Sequence, residues 1–316
     1  MMVARLLRLI QITQWTSTLL LAGWLIGWQD WPLAATLAAA LILPLWLHAQ
    51  IIALDFLLAH WAGSPTPAAW QRGPAGLLKI YLRELGDSIR VFQWAQAWRA
   101  NRGLPGENLA AGIKSQKSAD SAISAGPIPV VLVHGYLCNR QIWYPMAHWL
   151  ASRGHLLQAV ELEPVFSSID DYAPVIDRAV RELQQRSGRE RVALVCHSMG
   201  GLAARAYLRA CPDAPIERIV TLGTPHRGTI HARFASGING MQMRPDSDWL
   251  RTLAAHEDEA FGRRFSVILS HHDNIVAPQS NQTLPGARII ELGGLGHVSL
   301  VLDQAVWQLV AAELGR

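Results

Sequence analysis

Ser198 stands in the run Cys196, His197, Ser198, Met199, Gly200, Gly201, between an apolar stretch at residues 192–195 and a helix-like stretch at residues 202–210. A serine on a tight strand-to-helix turn has its hydroxyl lifted clear of the sheet. The next amide and the positive end of the following helix then face any negative charge that forms beside it. Gly200 and Gly201 supply the small residues that such a turn demands, although Cys196 occupies the place where a G-x-S-x-G pattern has its first glycine. The chemistry is nucleophilic: a serine hydroxyl is weak at neutral pH and needs an imidazole to take its proton and a carboxylate to orient that imidazole. Both stand downstream. Residues 265–270 read as a buried strand with Asp273 in the loop leaving it, and residues 287–292 read as another, followed by the glycine-loosened loop Gly293, Gly294, Leu295, Gly296, His297. The order is Ser198, Asp273, His297. A β-branched run at residues 129–133 ends in His134, Gly135, Tyr136. Gly135 lets the chain turn sharply, and the amides of Tyr136 and Met199 are assigned as donors to an oxyanion.

These segments, with the run Thr221, Leu222, Gly223, Thr224, Pro225, His226, Arg227, Gly228, Thr229 and the segment at residues 241–250, resemble the α/β-hydrolase superfamily. Within it they resemble the bacterial serine lipases and esterases, triacylglycerol lipases included, over roughly residues 127–316. The resemblance implies an α/β fold with a mostly parallel sheet flanked by helices. It also implies an ester-hydrolysing serine enzyme with no cofactor, its acyl pocket covered by a segment within residues 229–256. Several secreted lipases of this group hold a structural calcium through an aspartate two residues after the catalytic histidine. Ser299 occupies that position here, so no metal site is expected.

The competing residues have plainer readings. The acidic run Glu257, Asp258, Glu259 follows no strand and reads as a solvated helix face, which leaves Asp273 as the acid. His271 and His272 precede that acid on its own loop, whereas His297 approaches from a separate one. His134 is read as shaping the oxyanion loop, His197 as packing, and His226 and Arg227 as holding a loop by hydrogen bonds.

At the other end, residues 9–28 and 33–53 are almost free of ionised groups, each run close to the length that spans a bilayer core as a helix. They read as a transmembrane helical hairpin. Its polar tip runs from Gln29 to Pro32, Trp24, Trp28 and Trp31 stand as interfacial anchors, and Pro44 is placed to kink the second helix. A cleaved signal peptide followed by a buried helix is the alternative. Arg5 and Arg8 before the first span, and Arg72, Lys79 and Arg83 after the second, put both termini and the catalytic part in the cytoplasm. A bacterial inner membrane is the expected setting. A single uncleaved span with the hydrolase on the periplasmic side is the rival topology.

Residues 77–98 carry Leu78, Tyr81, Leu82, Leu85, Ile89 and Phe92 at helical spacing, an amphipathic helix expected to pack against protein or lie on lipid. Residues 101–125 turn polar and small, as a flexible linker does. The division is then a membrane anchor at residues 1–60, the juxtamembrane helix and linker at 61–126, and a catalytic domain at 127–316. A formal charge of +4 without basic clusters interleaved with aromatics leaves no nucleic-acid footprint. No repeat or phosphate-cradling glycine loop is present, and the odd count of 3 cysteines forms no evident disulfide framework. The expected partners are therefore a bilayer and a hydrophobic ester or lipid. The expected reaction is two-step acyl transfer to water. An acyltransferase using the same triad, or a non-catalytic interaction protein on a hydrolase fold, are the other classes.

Overall fold

The computed structural model describes residues 1–107 and 126–316. Most of the linker expected over residues 101–125 therefore lies outside the described residues. The chain opens with two helices, α1 (Met2–Gln29) and α2 (Leu33–Trp61), each long and apolar enough to cross a membrane. Asp30 turns the chain between them in the left-handed region, φ 51°. The small residues Thr18, Ala22, Thr36 and Ala40 are buried while Leu19, Leu20, Leu41 and Ile42 face outward. Small side chains at the contact let two apolar helices approach closely. The hydroxyls of Thr18 and Thr36 donate to carbonyls four residues back, so neither is stranded.

Helix α3 (Pro74–Ser88) begins with proline at its first turn, where the missing N–H costs nothing. It winds on through the wider turns of Ile89–Ala95 to Gln96–Trp98. Its buried face differs from the expected stripe: Ile80, Glu84, Ser88 and Val91 point inward, while Leu77, Leu78 and Leu82 are about half exposed. A carboxylate is ordinarily assigned to solvent, and only tertiary partners make an inward Glu84 tolerable.

The body is a six-stranded parallel sheet in the order β2-β1-β3-β4-β5-β6. Its elements run β1 (Val130–Val133), α4 (Tyr144–Ala151), β2 (Leu157–Ala159), α5 (Ala173–Ser187), β3 (Val192–His197), α6 (Met199–Ala210) and β4 (Ile216–Leu222). They continue with α7 (Gly237–Gln242), α8 (Asp248–Ala254), α9 (Glu259–Gly262), β5 (Phe265–Ser270), β6 (Arg288–Leu292), α10 (Ser299–Leu302) and α11 (Gln304–Leu314). Successive side chains on a strand alternate faces. Val131, Val133, Leu194 and Cys196 accordingly meet Ile176, Val180 and Leu202 on one side. Val130, Leu132, Ala193 and Val195 meet Trp143, Met146, Leu150 and Val306 on the other. Both faces are covered, which is why the central strands read as continuous apolar runs. All strands point the same way, so the loops after β1, β3, β5 and β6 open on one edge of the sheet, where open α/β sheets carry their ligands.

Candidate active site

Ser198 joins β3 to α6 with φ 55° and ψ −127°, a backbone state that costs a non-glycine residue about 1–3 kcal/mol and persists only where the surroundings enforce it. Its N–H donates to Leu222 O at 2.9 Å. A side-chain carbon at Gly200 would run into the carbonyls of Val133 and His134, and one at Gly201 into Thr224. The bare backbone there is thus demanded by β1 and the loop after β4. Cys196 lies within the strand proper and is fully buried, so the strain of the turn falls on Ser198 instead.

Asp273 follows β5 and is buried. Its Oδ1 accepts from the amides of Ile275 and Val276, both at 2.8 Å, and its Oδ2 meets His297 Nδ1 at 2.8 Å. With Nδ1–H donating to the carboxylate, Nε2 keeps a free lone pair. Burial alone would lower the pKa of His297. The charge and hydrogen bond of Asp273, reinforced by Glu84, outweigh burial and hold it above the ordinary imidazole value. Gly223, at φ 56°, stands where any side chain would press on Asp273 Oδ2 (3.0 Å) and His297 Nδ1 (3.1 Å). It follows directly on Leu222, whose carbonyl holds Ser198. Among the described residues no hydrogen bond joins Ser198 Oγ to His297 Nε2. In unliganded sites such bonds are often long and tighten in the substrate complex.

The loop after β1 brings Gly135 against the nucleophile: a carbon added there would lie 2.7 Å from Ser198 Cβ. His134 Nε2 accepts from Leu162 N at 3.1 Å, which leaves its proton on Nδ1, 2.9 Å from Gly135 O. It thus braces the loop. Neither the Tyr136 nor the Met199 amide is used in a turn, ladder or side-chain hydrogen bond among the described residues. Behind the loop Asn139 donates from its backbone and its side chain to Gln96, at 2.5 and 2.9 Å. In front, the Tyr136 hydroxyl donates to Ser236 O at 2.9 Å. The exposed Phe166 ring lies 6.1 Å from that of Tyr136, and the Phe166 carbonyl holds the amide of the exposed Ile238.

The remaining candidates take structural positions. His197 Nε2 donates to His297 O at 3.1 Å, and its buried ring is held well below the ordinary pKa, first by desolvation. Arg227 donates to Ser280 O and Thr283 Oγ1, and His226 meets Thr221 Oγ1 at 3.1 Å. Glu257 corrects the solvated-face reading: it lies in the loop between α8 and α9, and its carboxylate grips the buried Arg205 at 2.6 and 2.9 Å. Glu84, Gln96 and His231 also stand near the catalytic loops. Sequence reasoning missed all three. Their signal would have been polar residues interrupting apolar helical faces.

The palmitoyl protein thioesterase family matches residues 129–264. A triacylglycerol lipase from Burkholderia plantarii is 30% identical over 160 residues, 48% of this chain and 44% of that protein. One from Pseudarthrobacter phenanthrenivorans is 30% identical over 119 residues, 35% of this chain and 37% of the relative. The chain thus spans less than half the length of the curated relatives it matches. Among solved structures, the mature Bacillus licheniformis lipase BlEst2 superposes with a TM-score of 0.54 at 19% identity, covering 63% of this chain and 94% of that one. Aspergillus fumigatus lipase B gives 0.53 at 17%, covering 63% and 55%. Sheet order and structural neighbours agree on the α/β-hydrolase fold, and over that part the chain is similar to lipases and esterases.

Proposed function

We propose that the chain is a membrane-anchored serine hydrolase that cleaves hydrophobic carboxylic esters through an acyl-enzyme on Ser198. His297 Nε2 takes the hydroxyl proton as Ser198 Oγ attacks the ester carbonyl, and Asp273 stabilises the imidazolium that forms. The amides of Tyr136 and Met199 receive the negative charge of the tetrahedral intermediate. The imidazolium then protonates the leaving alcohol, and water, deprotonated in turn by His297, releases the acid. The observation that carries this reading is the buried 2.8 Å Asp273–His297 pair on loops adjoining a strained Ser198. The exposed Phe166 and Ile238 beside Tyr136 support an acyl substrate. Residues 1–60 serve as the anchor, residues 61–126 as the connection and residues 127–316 as the catalytic domain. Arg5, Arg8, Lys79 and Arg83 favour the cytoplasmic side.

The likeness to the palmitoyl protein thioesterase family makes long-chain acyl thioesters a second substrate class, cleaved by the same serine. The test is a pair of assays, p-nitrophenyl esters and acyl thioesters of rising chain length, with labelling by a fluorophosphonate probe. Ser198→Ala is expected to abolish labelling and lower hydrolysis by about 10⁴-fold or more. Hydrolysis that survives unchanged in that variant refutes the proposal.

A further inference from the structure

The loop that bears His297 has little support of its own. Asn274 Oδ1 accepts the His297 amide at 2.9 Å, and Ser270 Oγ donates to Leu295 O at 2.5 Å. The four-residue α10 that follows is too short to satisfy its own first amides. Two are satisfied from α3, Glu84 accepting Val298 N–H on Oε1 at 2.8 Å and Ser299 N–H on Oε2 at 2.9 Å, while the next two bond carbonyls of their own loop. Asp87 accepts the Ser299 hydroxyl at 2.8 Å, and Arg83 reaches Asp303 at 2.6 Å. Glu84 also abuts Gly296 so closely that any side chain there would strike its carboxylate. Glu84 is fully buried and has no cationic partner among the described residues. A buried carboxylate without a counter-ion is costly, and a neutral side chain would fill the same space at less cost. Both of its oxygens are committed to the two amides that directly follow the base.

We propose that Glu84 is a positioning residue of the active site, gripping the Val298 and Ser299 amides to set the His297 imidazole and so making catalysis depend on the docked juxtamembrane helix. This rests on the reading of Ser198, Asp273 and His297 as the reacting triad. Asp273 faces His297 from the acid loop, and His197 from the elbow with ring centres 4.6 Å apart. His231 acts on it from residues 230–233, Asp55 from α2 and Glu84 from α3. Arg83 and Asp87 flank Glu84 on its own helix. Burial pushes the Glu84 carboxyl up and the Val298 and Ser299 amides pull it back down; in its ionised form its charge favours the imidazolium.

Glu84→Gln keeps the volume but turns an amide donor against one N–H and removes the charge. The expected result is a kcat lower by about 10²-fold with KM changed by no more than about twofold. The acid limb of kcat/KM moves to lower pH. Glu84→Asp keeps the charge but is one methylene short, so the limb stays in place while kcat recovers only in part. Lys79→Ala, on the exposed face of the same helix, keeps the wild-type values. Thermal unfolding checks that each variant is folded; if Glu84→Gln is not, the Asp variant decides. A folded Glu84→Gln, or failing that Glu84→Asp, with wild-type kcat overturns the inference, as does a loss confined to KM. If Ser198→Ala is inactive while the Glu84 variants are normal, only the positioning role fails; an active Ser198→Ala refutes the triad itself.

Discussion

The Asp273–His297 pair sets a sign for the pH dependence. The proposed mechanism needs the neutral imidazole, and the Asp273 charge overcomes burial to hold His297 above its ordinary value. As pH falls, activity is therefore lost earlier than for a free histidine. Asp273→Asn removes that charge and the correct tautomer. It is expected to lower kcat by about 10⁴-fold and to shift the remaining acid limb to lower pH, as measured in ester hydrolysis profiles. At this scale much of the candidate site was legible. Ser198, Asp273 and His297 stand after apolar runs that end in glycine or polar loops, and a loop leaving a strand is an address that survives folding. Glu84 was not legible. Burial of a carboxylate depends on amides more than two hundred residues away, and helical periodicity carries no trace of them.

Strands β1, β3 and β5 were readable because both sheet faces are covered, giving unbroken β-branched or apolar runs, while the partly exposed edge strand β6 was readable from Ile289, Ile290 and Leu292. Two others escaped the same reasoning. β2 has three residues, and in β4 Glu217 and Arg218 come directly after its first residue, Ile216, so neither carries a clean pattern. Helix α3 was readable as a helix but not in its rotation, since it has apolar residues on two sectors and buries the less hydrophobic one. The loop after β1 supplies the test at this scale. With Ser198 Cβ only 2.7 Å from an added carbon, Gly135→Ala forces the oxyanion loop away from the nucleophile. The expected loss is about 10²–10³-fold in kcat with circular dichroism unchanged. An active Gly135→Ala enzyme would show that this loop does not govern the reaction.

Across the whole molecule, the helical hairpin, the juxtamembrane segment and the hydrolase are tied together at several points. Met1 and Met2 meet Glu163, Gln11 bonds Phe92 O and accepts from Trp98, Tyr81 reaches Ala49 O, and Ser64 bonds Ser280 and Gln279. Outward-facing leucines and tryptophans on α1 and α2 predict that the protein stays with membranes through alkaline carbonate washing and leaves them only with detergent. Recovery in the carbonate supernatant would refute the anchor. Under the proposed anchoring, these ties fasten both roots of the hairpin and hold the Ser198 loop at a set height over the bilayer. So held, the proposed enzyme would act as a depth gauge, reaching scissile bonds that lie at one level beneath it. Its turnover then follows how densely substrate populates the surrounding leaflet, whatever the amount in bulk water.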